Sequence, residues 1–197
     1  GMASVGQISE AVKVIKQAGC EQFILLKCTS SYPANPADAN ILTIPHLRKL
    51  FNCEVGISDH TKGIGCSIAA VSHGASIIEK HLTLSRSDKG VDSKFSLEPN
   101  EMKLLVEESE RAWLSIGEVK YGPTFIERKS MIFRRSIYVS ENLKKGDLLT
   151  KKNLRIIRPG YGLSPKYYGK LMNARVNKDV KKGTPFNWDL VLDKNDL

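Results

Sequence analysis

At 197 residues the chain has room for one large domain or two small ones, and its 41% hydrophobic and 26% charged residues are those of an ordinary soluble globular protein. No apolar run approaches the ~20 residues of a membrane span, and Gly1-Met2-Ala3-Ser4 lead into an amphipathic pattern rather than the core of a signal peptide, so a cytoplasmic protein is expected. The formal charge of +9 is lopsided: residues 1–119 carry 12 Lys/Arg against 14 Asp/Glu, and residues 120–197 carry 18 against 7. A basic second half suits nucleic acid, an anionic membrane surface or an anionic substrate, and the sign alone does not choose.

The first 118 residues alternate helix and strand. Val12, Ile15 and Ala18 share a helix face, with Ser4 as N-cap and Gly19 at the close. The apolar run Phe23–Cys28 predicts a parallel strand buried on both faces. A polar loop, Thr29 to Pro36, leads to a helix around Ile44–Phe51 and then to the strand Glu54–His60. The small residues from Gly63 to His73 predict a helix able to pack tightly on a sheet, and Ala75–His81 a further strand. From Glu98 to Ile116, Met102, Leu105, Ser109, Ala112 and Ile116 recur at helical spacing, with Pro99 in the first turn and Gly117 at the end. The four cysteines have no CxxC spacing, and three lie in or beside apolar segments, which predicts buried, reduced thiols.

Residues 119–131, with Gly122-Pro123 and mixed charges, read as a linker. From residue 132 to 197 the pattern changes to short β runs: Ser136–Val139, Leu148–Thr150, Leu154–Ile157, Ala174–Asn177 and Val191–Leu192. The phrase Asn142-Leu143-Lys144-Lys145-Gly146 is echoed by Asp179-Val180-Lys181-Lys182-Gly183, which suggests a small β domain with pseudo-two-fold symmetry.

His60 and His81, each closing a predicted strand, carry the chemistry. A strand–helix–strand crossover makes their strands parallel neighbours with C-terminal ends on one rim, where α/β folds build active sites. Taken singly, each is a satisfied rim or core histidine. Their matched placement, one at the end of each consecutive strand, sets a shared divalent cation beside that reading. Imidazole suits Mn, Fe or Zn, and two protein ligands leave positions open for a substrate carbonyl. Ser30, Ser31, Tyr32 and Ser58 reach the same rim and suit a phosphate or sugar, although serines are also ordinary loop residues. Asp92 lies in the loop Gly90–Ser93, as a polyol or proton ligand or a plain turn carboxylate. Arg158 lies in the turn Arg158–Gly162, a rigid mount or a solvated surface position.

Lys27–Pro33, Gly56–Thr61, Glu79–His81, Gly90–Ser93, Phe95–Pro99 and Arg158–Gly160 together resemble the sialic acid synthase family, in order, spacing and type, over essentially the whole chain. The resemblance implies the C-terminal portion of a (β/α)8 TIM barrel, then a small β-rich antifreeze-like (β-clip, SAF) domain. It implies condensation of phosphoenolpyruvate with an acetamido-aldose, releasing phosphate, in surface-glycan biosynthesis. His60 and His81 match the metal histidines, for Mn²⁺ or Mg²⁺, that position the sugar aldehyde. Ser58, Ser30 and Tyr32 match positions around the substrates; some relatives carry Asn where this chain has Ser30. Asp92 matches an active-site aspartate near the sugar. Arg158 matches an arginine that reaches the partner subunit's barrel in a domain-swapped homodimer. Gly90-Val91-Asp92-Ser93 is nearer the pseudaminic acid branch. Nothing corresponds to the first half of the barrel, so a chain unable to turn over alone is expected. The alternative is a non-catalytic carbohydrate-binding or assembly fragment. Nucleic-acid binding is weaker, for want of aromatic residues among the lysines and of a recognition helix.

Overall fold

A capping box starts the first helix. In the computed structural model, which describes residues 1–192, Ser4 Oγ accepts from the Gln7 amide and Gln7 Oε1 accepts from the Ser4 amide. This satisfies two of the orphan groups at the N-terminus of α1 (Val5–Gln17). The chain then alternates β1 (Ile24–Cys28), α2 (Thr43–Phe51), β2 (Glu54–Asp59), α3 (Gly65–Ser72), β3 (Ile78–Lys80) and α4 (Pro99–Ile116). It divides into two compact units, Gly1–Val119 and a second from Lys120 onward.

In the first unit the strands form one parallel sheet in the order β1-β2-β3. Residues 55 to 59 of the central β2 are all buried. Its core is Ile44 and Leu47 of α2, Val55 and Ile57 of β2 and Ala70 of α3. β1 departs from the expectation of burial on both faces, being half-buried with Ile24 exposed. Among the described residues it pairs only with β2, so its side chains lack the neighbours that a strand on its outer side would supply.

β3 is also shorter than the predicted run Ala75–His81. On α4 only Leu105 is fully buried, while Val106, Trp113 and Ile116 are exposed. They flank a groove of about 790 Å³ running from Val71 and Ile78 to Trp113, with the Arg48–Glu54 ion pair (2.6 Å) at its border. The cysteines also correct the expectation: all four are free thiols, but Cys20 is exposed and the other three are only half-buried. Cys20 falls in a loop and Cys28 on the edge strand. Burial still pushes the Cys53 and Cys66 thiols above their usual range.

The second unit is built around β4 (Ser136–Val139) and β5 (Leu154–Ile157), paired antiparallel, with the short helix α5 (Tyr168–Leu171). Ile137, Leu149, Leu154, Leu171, Val176 and Phe186 form its core and are fully buried. The other predicted β runs do not form strands among the described residues and are joined by isolated bridges, Leu148 to Arg175 and Val176 to Val191. Residues 127–133, partly inside the predicted linker, form a 3₁₀ segment, opened by Thr124, whose amide and hydroxyl both donate to Glu127. The last stretch of the predicted β domain, 193–197, lies outside the described residues. Among the described residues no helix is long and apolar enough to cross a membrane.

The repeated Lys-Lys-Gly phrases are paired with each other. Leu143 and Val180 exchange both backbone hydrogen bonds at 2.8 Å. The Lys145 amide donates to Asp179 Oδ1 and the Lys182 amide donates to Asn142 Oδ1, each at 2.9 Å. Gly146 and Gly183 close the two turns at φ +88° and +84°, a region that disfavours other residues.

Candidate active site

Both histidines stand one residue beyond a strand, His60 after β2 and His81 after β3, and their ring centroids lie 5.1 Å apart. Alternation along the strands puts Ser58, His60, Glu79 and His81 on one face and Asp59 and Lys80 on the other. The ladder aligns Ser58 with Glu79 and Asp59 with Lys80.

On the histidine face, His60 is buried and its Nδ1 lies 3.0 Å from the Thr29 carbonyl oxygen. A carbonyl only accepts, so Nδ1 carries the proton and Nε2 is the ring nitrogen left to bind a ligand. Nε2 faces the Ser58 hydroxyl at 3.5 Å, and that hydroxyl donates to Glu79 Oε1 at 2.6 Å. His81 is held more loosely: its Nδ1 lies 3.4 Å from Asp92 Oδ2, within ion-pair reach but short of a hydrogen bond. Asp92 reaches it because the loop after β3 folds back: Leu97 donates its amide to the His81 carbonyl, and Thr83 to the Leu97 carbonyl, both at 2.9 Å. Arg86 anchors that loop, binding Glu101 of α4 through two bonds of 2.6 and 2.7 Å.

Tyr32 arrives from the loop after β1, held by the Ala34 amide donating to the His60 carbonyl at 2.9 Å. Its ring lies 4.3 Å from that of His60 and 6.0 Å from that of His81. More than half of Tyr32 is exposed, so it forms a wall of the site.

On the opposite face Asp59 and Lys80 form a buried ion pair of 2.9 Å. Burial would raise the Asp59 carboxyl, but hydrogen bonds from Ser67, Lys80 and the Thr61 amide outweigh it and hold the group below the usual carboxylate range.

The structure therefore brings Ser58, His60, His81, Asp92 and Tyr32 together. Ser30 is on the same loop as Tyr32, but it is exposed, and its hydroxyl lies 3.8 Å from Cys28 Sγ. Arg158 belongs to the second unit, on an exposed turn. There Ser136 Oγ donates to the Pro159 carbonyl and accepts from the Gly162 amide. Sequence reasoning missed Glu79 and Phe95. Period-two alternation from His81 would have put Glu79 on the site face. Phe95, buried and 5.2 Å from the His81 ring, depends on the fold-back of its loop and left no local signal.

A divalent cation fits the donors of this face: two imidazoles with their Nδ1 atoms turned to acceptors, beside two carboxylates. Among the described residues no group of three or more His, Cys, Asp or Glu could hold an ion. The fit is thus to an open site with two protein ligands, not a closed structural one.

The NeuB family model matches residues 1–121 and the SAF domain model residues 134–192. The pseudaminic acid synthase of Campylobacter jejuni subsp. jejuni serotype O:2 is 37% identical over 183 residues, covering 93% of this chain and 53% of that protein. The N,N'-diacetyllegionaminic acid synthase of Legionella pneumophila is 34% identical over 195 residues, covering 96% and 54%. Among solved structures, the N-acetylneuraminic acid synthetase of Leptospira borgpetersenii is 42% identical with a TM-score of 0.60, over 66% of this chain and 46% of that one. The chain spans about half the length of the curated relatives it matches.

Proposed function

The chain belongs to the NeuB family, and from that premise we propose that it is the barrel's C-terminal portion and the SAF domain of a nonulosonic acid synthase of pseudaminic or sialic acid type. The reaction joins the enol carbon of phosphoenolpyruvate to the aldehyde carbon of an open-chain acetamido-aldose, with water taken up and phosphate released. The observation that carries this reading is the convergence of His60 and His81, each with Nδ1 turned to an acceptor. A bound Mn²⁺ or Mg²⁺ would supply Lewis-acid polarisation of the aldehyde oxygen. Ser58, whose hydroxyl proton is held by Glu79, presents its oxygen as an acceptor for a substrate hydroxyl. Tyr32 packs against one side of the sugar, and Ser30 lies at the entrance. Asp92 orients His81 and, half-exposed, is placed to accept from a sugar hydroxyl. In a domain-swapped homodimer Arg158 would reach the partner's barrel, where its planar fork suits the acetamido group. Four free thiols accord with the cytoplasm.

The test is phosphate release from phosphoenolpyruvate by the full-length protein, assayed with acetamido-aldoses and Mn²⁺. His60→Ala and His81→Ala should each abolish it while leaving the circular dichroism spectrum intact. Full activity of the double variant would remove the proposal.

A further inference from the structure

The Asp59–Lys80 pair lies on the far side of the sheet from the histidines, where neither residue can touch a substrate bound between them. Its place in the ladder is what matters. The β2–β3 pairing is three residues long, Ile57 to Ile78, Ser58 to Glu79 and Asp59 to Lys80. Asp59 and Lys80 are its last partners, and the next residue in each strand is a histidine. A ladder this short frays at its open end unless something ties it. Here the tie is an ion pair whose side chains are only 1% and 2% exposed.

The tie extends further. Asp59 Oδ2 also accepts from Ser67 Oγ of α3 at 2.6 Å, and Asp59 Oδ1 accepts from the Thr61 amide at 2.8 Å. Lys80 Nζ donates in addition to the Thr61 carbonyl. One carboxylate and one ammonium thus bind the end of β2, the end of β3, the residue after His60 and the covering helix. Ser67 is fully buried, at a position where an apolar residue would otherwise pack on the sheet, and its hydroxyl is spent on Asp59. A buried ion pair is seldom a net source of stability, since desolvation offsets its attraction. Its advantage here is geometric, because attraction and directional bonds fix the height of one strand end against the other.

We propose that Asp59 and Lys80 are positioning residues that set the separation of His60 and His81, and through it the affinity for a divalent cation. This rests on the metal reading of the two histidines. The test measures Mn²⁺ affinity by electron paramagnetic resonance or calorimetry on the full-length protein, together with its unfolding midpoint. Asp59→Asn or Lys80→Met alone should unfold at lower temperature, leaving one buried charge unpaired. The double variant Asp59→Asn/Lys80→Met removes both charges and should recover most of the lost midpoint. A merely structural pair predicts that Mn²⁺ affinity recovers with it. Positioning predicts that affinity stays about 10–100-fold weaker, as for other residues that orient metal ligands. Ser67→Ala keeps both charges and should fall at the lower end of that range.

A folded double variant binding Mn²⁺ within about twofold of wild type overturns the inference. If the double variant does not fold, the same result from Ser67→Ala overturns it. A wild-type protein that binds no Mn²⁺, or whose binding survives His60→Ala, fails the metal reading itself and this inference with it.

Discussion

Asp59 is buried yet ionised, and this has a pH consequence of fixed sign. Its folded-state pKa lies below the ordinary value of about 3.9, so its carboxylate contributes stability that is fully present above pH ~4. That contribution is lost as pH falls from there through the folded pKa. Urea unfolding of wild type and Asp59→Asn should therefore differ at neutral pH and converge in acid; a constant difference from pH 7 to 3 would refute this. Gly162 makes another residue-level prediction. A Cβ there would lie 2.2 Å from the Ile137 carbonyl oxygen and 3.1 Å from the Phe186 nitrogen, both backbone atoms with little room to move. Gly162→Ala should destabilise the second unit by about 1–3 kcal/mol or more, measured by chemical denaturation. Neither feature was legible beforehand. The sequence showed Asp59 and Gly162 only as neighbours of a histidine and an arginine, and what surrounds each comes from distant chain.

At the scale of elements, the repeat was legible and its pairing was not. Asn142-Leu143-Lys144-Lys145-Gly146 and its echo were recognisable as equivalent turns, and nothing in either phrase showed that the two meet. In the structure each turn caps the other: Asp179 accepts from the Lys145 amide and Asn142 from the Lys182 amide. Asn142→Ala should accelerate hydrogen exchange at the Lys182 amide and leave Lys145 unchanged, and Asp179→Ala should do the reverse. Each loss should open one turn without unfolding the unit, since both bonds are exposed. Asp179 is also held below its usual range by Lys144, but that pair is exposed and adds little. The first and last helices of the first unit were legible with their ends, because Ser4, Pro99 and Gly117 act through local chemistry, whereas α5 was not read at all. β3 was over-read by three residues before it and one after, since apolar runs do not show where pairing starts.

At the scale of the whole molecule, two open sheet edges and the groove beside α4 set the expectations. Val106, Trp113 and Ile116 leave apolar surface uncovered, and β1 and β3 each have one unpaired side among the described residues. The 197-residue chain alone should associate in light scattering and release no phosphate from phosphoenolpyruvate. A monodisperse monomer with robust turnover would contradict both expectations. The proposed domain swap makes a separate prediction for the full-length protein. Arg158→Ala and His60→Ala subunits, inactive alone, should regain activity when mixed and allowed to exchange, since one site of the mixed dimer is whole. Exchange without recovery would assign Arg158 to its own barrel or to none.

By itself the sequence determined the alternation of elements, the parallel crossover that makes β2 and β3 neighbours, and the arrival of both histidines on one rim. These follow from apolar runs, cap residues and the handedness of a strand–helix–strand unit, all readable within some thirty residues. Only the tertiary structure decided which way each imidazole is turned. The Thr29 carbonyl, the Asp92 carboxylate and the Tyr32 ring reach the histidines from loops whose paths depend on long-range bonds, Ala34 to His60 and Leu97 to His81. It also decided the roles of the alternate residues, since Glu79 meets Ser58 on one face and Lys80 meets Asp59 on the other. The physical reason is the same in each case. A residue's own pattern tells which face it takes, and only the register of the neighbouring strand tells what it meets there.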